Sequence, residues 1–211
     1  MDFDRIGVVV GLTAEARIAR RRFTRVAVGG GTPAGAALAA DRLIARGAQG
    51  LVSFGLAGGL DPMLRPGAII LPAMVVTHGR HLLTDPDLNA DLGGDTGHAL
   101  LGADGVAATA AAKRQLFLAT GCAAVDLESG SVAVVAERHG VKFAVLRAIC
   151  DPAERDLPPA ALGALNDAGA IGLLRVIGSV IARPAQIPAL VRLARDAAAA
   201  REALVARIGG I

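Results

Sequence analysis

The sequence predicts an α/β fold in which helices cover a central, largely parallel sheet. Continuous apolar runs such as Ile6–Val10 and Phe143–Ile149 are typical of strands that are buried on both faces. Segments with a helical spacing of apolar residues, such as Ser131–His139, lie between such runs. Hydrophobic residues make up 53% of the 211 residues, which favours a buried sheet, and the length suits one domain over residues 1–211.

The N-terminal part is expected to hold three strands. They are Ile6–Val10, Val26–Val28 and Leu51–Gly55, and helices over Ala14–Arg22 and Ala34–Arg46 follow the first two. Thr13 can cap the first helix, which places Glu15 in the first turn, where a carboxylate is favoured. Glycines 29–31, a Thr32 cap and Pro33 at the first helical position introduce the second helix.

The rest of the chain continues this alternation. The strands expected there are Ala68–Thr77, Ala123–Val125 and Phe143–Ile149, and the helices are Ala110–Ala119, Ser131–His139, Leu157–Ala182 and Ile187–Ile208. Residues 78–97 are polar and rich in Gly and Asp, so we expect a loop there. His78, His81 and His98 lack the spacing of metal ligands on a helix, and no metal site is expected.

Two acidic turns follow two of these strands and give the sharpest functional signal. Asp126 and Glu128 come after Ala123–Val125, and Asp151 comes shortly after Phe143–Ile149. Ligands of open α/β sheets bind at the carboxyl ends of the strands. We therefore expect these carboxylates to leave the same edge of a parallel sheet, at a ligand site.

The composition argues against several classes of protein. The chain has no Trp or Tyr and only 5 Phe, so a nucleic-acid binder that stacks bases on aromatic rings is not expected. Cys122 and Cys150 lie beside predicted strands and are expected to be buried small side chains. The N-terminus has no signal-peptide features, and the apolar stretch Ala168–Ala182 is too short to span a membrane. We expect a cytoplasmic protein that needs no cofactor.

The acidic turns carry a resemblance to a known family. V-D-L-E-S at 125–129 and L-R-A-I-C-D-P-A at 146–153 are similar to the V-E-M-E-[AS] and R-A-[IV]-S-D turns of the purine nucleoside phosphorylase and nucleosidase superfamily. Residues 8–17 and 53–72 extend the resemblance over most of the chain. Within the superfamily, the residues of these motifs are most like those of the hopanoid-associated branch. The resemblance implies a three-layer fold with a mixed central sheet, and an enzyme that works as a homodimer or higher homo-oligomer.

The resemblance also implies roles for particular residues. Asp151 stands where the family has the acid that protonates N7 of the base, and Glu128 stands where a carboxylate grips the ribose hydroxyls. Val106 takes the place of a phenylalanine that stacks on the purine, so an aliphatic contact would replace the ring. The residues expected to contact the substrate are Ala57, Gly58, Val106, Ala107, Asp126 and Leu127.

The resemblance leaves water and phosphate open as the nucleophile. Nucleosidases carry a water-activating glutamate at the position of Ala16, so Glu15, one residue earlier, would point in another direction on its helix. Phosphorylases place an arginine near the segment 53–59, and it is missing here. The glycine turn before the second predicted helix could instead hold phosphate, through Gly30, Gly31, Thr32 and Arg17.

The predicted function is cleavage of the N-glycosidic bond of an adenine nucleoside. The branch resemblance implies phosphorolysis of adenosylhopane, which releases adenine in hopanoid biosynthesis, and the expectation leans slightly to phosphate. The alternatives are a hydrolytic methylthioadenosine/S-adenosylhomocysteine nucleosidase, in which Glu15 is catalytic, and a non-catalytic nucleoside-binding module. The arginines at 17 and 20–22 form either a solvated helix face or a surface for phosphate or an anionic membrane, so a peripheral membrane contact is a further candidate.

Overall fold

A computed structural model of the chain describes residues 2–162 and 183–211. The strands are β1 (Ile6–Val10), β2 (Arg25–Val28), β3 (Gly50–Gly59), β4 (Ile69–Ile70), β5 (Met74–Thr77), β6 (Arg80–Leu83), β7 (Ala99–Gly102), β8 (Ala124–Asp126) and β9 (Lys142–Asp151). The helices are α1 (Thr13–Ala19), α2 (Pro33–Ala45), α3 (Pro86–Asp91), α4 (Ala110–Thr120), α5 (Ser129–His139), α6 (Pro159–Leu162) and α7 (Ile187–Gly209). Most of the helix expected over Leu157–Ala182 lies outside the described residues, and the single domain over residues 1–211 stays a prediction.

The strands of the described residues join one mixed sheet, which confirms the predicted α/β fold. β1 pairs in parallel with β2 and β3, and β3 pairs in parallel with β9. The order continues as β2-β1-β3-β8-β7-β5-β6, with β4 beside β9. At Gly58 and Gly59 the end of β3 pairs with β8 in the antiparallel direction, which makes the sheet mixed rather than parallel.

The direction of β8 corrects one expectation about the acidic turns. β8 runs antiparallel to β3 whereas β9 runs parallel to it, so Glu128 and Asp151 do not leave one edge of a parallel sheet. Gly58 lies between the two strands, paired with Val125 of β8 on one side and with Asp151 of β9 on the other. The acidic turns therefore flank the end of β3 and depart in opposite directions along it.

The core has a layer of side chains on each face of the sheet. Alternate residues of β1 divide between the layers: Val9 packs with residues of α2 and α5, and Val8 and Val10 pack with residues of α1, α3 and α7. Because both faces are covered, both need apolar side chains. This explains why the central strands appear in the sequence as unbroken apolar runs.

Residues 78–97, expected to form a loop, contain a strand and a helix. β5 and β6 form a hairpin whose turn residues, His78 and Gly79, have φ values of 47° and 71°. Two positive values are those of a type I′ turn, which usually carries Asn-Gly. α3 begins after Asp85, whose carboxylate accepts a hydrogen bond from the Leu88 N–H at 2.8 Å. The polar composition of residues 78–97 gave no indication of either β6 or α3.

The strand expected over Ala68–Thr77 is divided into β4 and β5. Pro72 lies at the break, where it has no N–H to donate to a strand ladder. Its carbonyl oxygen accepts hydrogen bonds from the Thr84 hydroxyl at 2.7 Å and the Asn89 amide at 3.2 Å instead.

Of the helices within residues 2–162 and 183–211, none has both the length and the apolar character to cross a membrane.

Candidate active site

Arg147 is the centre of a buried polar cluster in the middle of β9, and only 1% of its surface is exposed. Its Nη2 donates hydrogen bonds to Glu128 Oε2 at 2.9 Å and Ser53 Oγ at 2.7 Å, and its Nη1 donates to the Leu56 carbonyl at 3.2 Å. Its Nε lies 2.7 Å from Asp126 Oδ2, an ion pair without the alignment of a hydrogen bond. A buried guanidinium needs partners of this kind, because an unpaired charge in the interior is costly.

Glu15, in the first turn of α1, points into the same cluster and is 3% exposed. Its Oε2 accepts a hydrogen bond from the Leu12 N–H and its Oε1 accepts one from the Leu56 N–H, both at 2.8 Å. A methyl group added at Gly11 would meet Glu128 Oε1 and would lie 3.5 Å from Glu15 Oε2, so both carboxylates reach the same small space. The expectation that Glu15 would point elsewhere is therefore wrong.

We call Glu15, Asp126, Glu128 and Arg147 the arginine cluster, in which three carboxyl groups surround one guanidinium. Burial raises the pKa of Glu15 above its ordinary value, although Arg147 opposes the rise. Burial also raises the pKa of Glu128 to about 7, with Arg147 opposing the rise and the neighbouring carboxylates adding to it. Glu15 and Glu128 therefore keep a proton more readily than exposed carboxylates do, chiefly because burial penalises their ionised forms.

Asp126 faces the protein rather than open space, and it is 6% exposed. Its carboxylate accepts hydrogen bonds from the Glu128 N–H at 3.2 Å and the Ser129 N–H at 2.9 Å, and the Ser129 hydroxyl donates to it as well. These contacts hold the start of α5 and one side of Arg147, and the substrate contact of Asp126 stays a prediction. The neighbouring Leu127 is partly exposed.

Asp151 ends β9 on the far side of β3. The register between the two strands shifts at Ala57 and Gly58, where β9 carries Cys150 as an extra residue, and such bulges redirect neighbouring side chains. The Oδ2 of Asp151 lies 2.6 Å from the Nζ of Lys113, a fully buried residue of α4. We call these two residues the lysine pair. Burial raises the pKa of Asp151, and the hydrogen bond from Lys113 opposes the rise.

A cavity of about 360 Å³ opens beside Asp151. Its described walls are residues 154–158, which follow β9, and one side of α7. Arg155 and Asp196 face each other in this wall, with Nη2 and Oδ2 2.6 Å apart. Of the acidic residues predicted for the site, Asp151 is among the residues that line this cavity.

The other predicted substrate contacts are more widely distributed. A methyl group added at Gly58 would lie 3.8 Å from Asp151 Oδ2, whereas Ala57 is packed into the core. Ala107 is buried in a small apolar cluster beside β8, and Val106 is 53% exposed. The structure therefore brings Gly58 to the lysine pair and leaves Val106 at the surface.

The glycine turn before α2 has the predicted local geometry. Gly30 and Gly31 have φ values of 78° and 72°, and the Thr32 hydroxyl accepts a hydrogen bond from a backbone N–H of the first turn at 3.1 Å. Arg17 lies on α1 with its side chain exposed. Across residues 2–162 and 183–211, no group of three His, Cys, Asp or Glu side chains is arranged to hold a metal ion.

Neither Arg147 nor Lys113 was among the site residues predicted from the sequence. Arg147 offered a signal, because a charged residue inside the apolar run Phe143–Ile149 must be buried with partners. Lys113 offered none, because nothing in an Ala-rich helix shows which face its lysine occupies before the packing is known.

The chain resembles known proteins both in sequence and in fold. A family model described as the phosphorylase superfamily matches residues 99–177, which confirms the resemblance that the acidic turns carry. No curated protein matches this chain. The matched segment contains Lys113, Asp126, Glu128, Arg147 and Asp151, whereas Glu15 of the arginine cluster lies outside it.

Solved structures share the fold at low identity. A methylthioadenosine/S-adenosylhomocysteine nucleosidase of Helicobacter pylori, complexed with butyl-thio-DADMe-Immucillin-A, has a TM-score of 0.69 with 18% identity over 100% of both chains. The nucleosidase of Colwellia psychrerythraea in complex with adenine has a TM-score of 0.64 with 17% identity, over 82% of this chain and 94% of that one. Futalosine hydrolase of Helicobacter pylori has a TM-score of 0.62 with 20% identity, over 69% and 87%.

Proposed function

We propose that this chain is an enzyme that cleaves the N-glycosidic bond of an adenine nucleoside, with water as the nucleophile. One observation carries the proposal: Glu15, Glu128 and Arg147 meet in one buried cluster beside Gly11, across the end of β3 from Asp151. The reaction class is supported by the phosphorylase-superfamily match and by structural relatives that include a nucleosidase complexed with adenine.

Cleavage of this bond needs a proton on the leaving base, stabilisation of the ribosyl cation and a nucleophile on the opposite face of the sugar. Asp151 supplies the proton in this proposal, because burial raises its pKa and the residue lines the cavity. Glu128 binds the ribose hydroxyls and faces the positive charge that develops on the sugar. That interaction strengthens in the transition state and therefore accelerates the reaction.

Glu15 is the proposed general base. Backbone N–H groups, those of Leu12 and Leu56 among them, fix its carboxylate beside the space at Gly11 that Glu128 also reaches. Burial raises its pKa, and a carboxylate with a raised pKa accepts a proton from water more readily than an ordinary one. The arginine cluster also disfavours a phosphate dianion, because its carboxylates outnumber its guanidinium.

The second candidate is phosphorolysis of adenosylhopane, which the branch resemblance implies. The observation that favours it is the turn of Gly30 and Gly31 before Thr32, which opens the N-terminus of a helix toward an anion. Phosphate would then attack from this turn, with Arg17 supplying positive charge, and the hopane tail would extend from the 5′ side of the ribose. A homodimer or higher homo-oligomer, a peripheral membrane contact and a cytoplasmic location are part of this candidate.

Adenine release with and without inorganic phosphate distinguishes the candidates. The substrates are methylthioadenosine, S-adenosylhomocysteine and an adenosine with a long alkyl group at the 5′ position. With water as nucleophile, release is independent of phosphate, and Glu15→Gln lowers kcat by about 10²-fold or more. Phosphate-dependent release that is lost in Thr32→Ala and insensitive to Glu15→Gln would establish the second candidate.

The same assay addresses the binding-module alternative and the group at the 5′ position. Adenine binding without release from any of the three nucleosides would reject both enzymatic candidates. Selective release from the long-chain adenosine would favour a hydrophobic substrate, whereas faster release from methylthioadenosine would favour a nucleosidase of small thioethers.

A further inference from the structure

Lys113 is a fully buried lysine whose three ammonium protons all have acceptors. Its Nζ lies 2.6 Å from Asp151 Oδ2, and it donates to the carbonyl oxygens of Pro152 at 3.0 Å and Arg155 at 2.8 Å. An ammonium group has three donors and no acceptor. Lys113 therefore has no N–H left for a ligand and acts only through the groups that it already contacts.

Asp151 is left with one available oxygen. Its Oδ2 is held by Lys113, whereas its Oδ1 accepts no hydrogen bond from the residues that the structure describes. The Asp151 side chain is 10% exposed and lines the cavity of about 360 Å³. Lys113 thus fixes the carboxyl group through one oxygen and leaves the other for a molecule in the cavity.

We infer that Lys113 is a positioning residue for the acid step: it orients Asp151 and stabilises the carboxylate that remains after proton transfer. The inference rests on the proposed cleavage of an adenine nucleoside. In that step the O–H bond of Asp151 breaks, an N–H bond forms on the base, and the electron pair of the N-glycosidic bond passes to the base. The resulting buried carboxylate is neutralised by the ammonium 2.6 Å away.

Other charges near Asp151 do not replace this cation. Beyond burial, Arg155 lowers the pKa of Asp151 and Asp196 of α7 raises it, so their effects oppose each other. These two residues are also paired with one another at 2.6 Å. Burial raises the pKa of the Cys150 thiol to about 12, so it remains neutral beside the carboxyl group. Without Lys113, the carboxylate formed in the acid step would have no dedicated counter-ion.

Carboxyl ¹³C NMR of Asp151 tests the inference without a substrate. Lys113→Met removes the cation and is expected to move the Asp151 titration to higher pH, while Lys113→Arg keeps it near the wild type. In the adenine-release assay, the basic limb of the kcat/KM profile of Lys113→Met moves in the same direction. Its kcat falls about tenfold or more with a smaller change in KM, because proton transfer leaves an unpaired carboxylate.

The matched control is Lys142→Met, which removes a lysine whose side chain is 42% exposed and pairs with Asp85 and Asp87 at the surface. It is expected to change neither the Asp151 titration nor the pH profile. An Asp151 titration that is unchanged in Lys113→Met overturns the inference, because a purely structural lysine affects folding without moving the profile. A moved titration in a chain that releases no adenine supports the electrostatic role and rejects the proposed function instead.

If Lys113→Met does not fold, the inference can be tested by ¹⁵N NMR of Lys113 in the wild-type protein. The ¹⁵N resonance of Lys113 Nζ should shift as Asp151 titrates, and this shift should disappear in Asp151→Asn. A lysine resonance that does not respond to the titration of Asp151 contradicts the inference.

Discussion

The arginine cluster and the lysine pair flank the end of β3, and they hold buried carboxyl groups in different ways. In the arginine cluster Glu15, Asp126 and Glu128 share one guanidinium, so negative charge exceeds positive charge when all are ionised. In the lysine pair Asp151 has an ammonium of its own. The first arrangement suits a group that accepts a proton, and the second suits an acid whose conjugate base must be stable in the interior.

The largest expected effect comes from removing the acid of the lysine pair. Asp151→Asn should lower kcat for adenine release by about 10²–10⁴-fold, because an amide can hydrogen-bond to the base but cannot give it a proton. Adenine binding, measured by calorimetry, should change much less. The control is Asp104→Asn, at an exposed aspartate that pairs with His78. Turnover near the wild-type rate in Asp151→Asn would exclude Asp151 as the acid.

The second effect concerns the shared cation of the arginine cluster. Arg147→Met should lower the free energy of unfolding by about 3–5 kcal/mol at neutral pH, because it leaves buried carboxyl groups without their counter-charge. The loss should diminish as the pH falls and the carboxyl groups become protonated, which urea unfolding at several pH values can measure.

The control for Arg147→Met is Arg138→Met, which breaks a surface pair with Asp41 and should cost less than about 1 kcal/mol at any of these pH values. Equal losses in the two variants would mean that the interior pairing contributes no more than a surface ion pair.

In each centre the sequence predicted carboxylates as site candidates but not the cation that pairs with them. Glu128 and Asp151 could be proposed as site residues because an acid after an apolar run is a local pattern. The antiparallel direction of β8 could not be predicted, because the sequence of a three-residue strand does not show whether it pairs parallel or antiparallel with its neighbour. The inward direction of Glu15 depends on how α1 packs over β3, and the burial of Lys113 depends on the contact between α4 and the segment after β9. Both are long-range packing, which local spacing does not specify.

The third prediction concerns the space that the arginine cluster needs. Gly55 has a φ of 150°, and a methyl group there would lie 2.5 Å from Glu15 Oε1 and 2.8 Å from Arg147 Nη1. Gly55→Ala should therefore cost of order 1–3 kcal/mol in stability and also lower kcat, because both side chains must move. Gly121→Ala is the control, since its φ of 67° causes backbone strain but no atom lies within 4 Å of the added methyl group.

Gly55→Ala should thus lower both unfolding free energy and adenine release, whereas Gly121→Ala should lower only the first. A Gly55→Ala variant with unchanged kcat would show that the cluster tolerates displacement, and the proposed roles of Glu15 and Glu128 would then lose their geometric basis.

The last expected effect is a pH dependence of stability that the burial of Glu128 gives to the arginine cluster. Burial raises the pKa of Glu128 from 4.5 to about 7, so between these values the folded chain binds more protons than the unfolded chain. Its contribution to stability is complete below pH 4.5 and is lost as the pH rises toward 7. Glu128→Gln should flatten this decline in urea unfolding, while Glu202→Gln, at an exposed position, should not. Identical slopes in the wild type and Glu128→Gln would mean that the guanidinium fully compensates for burial.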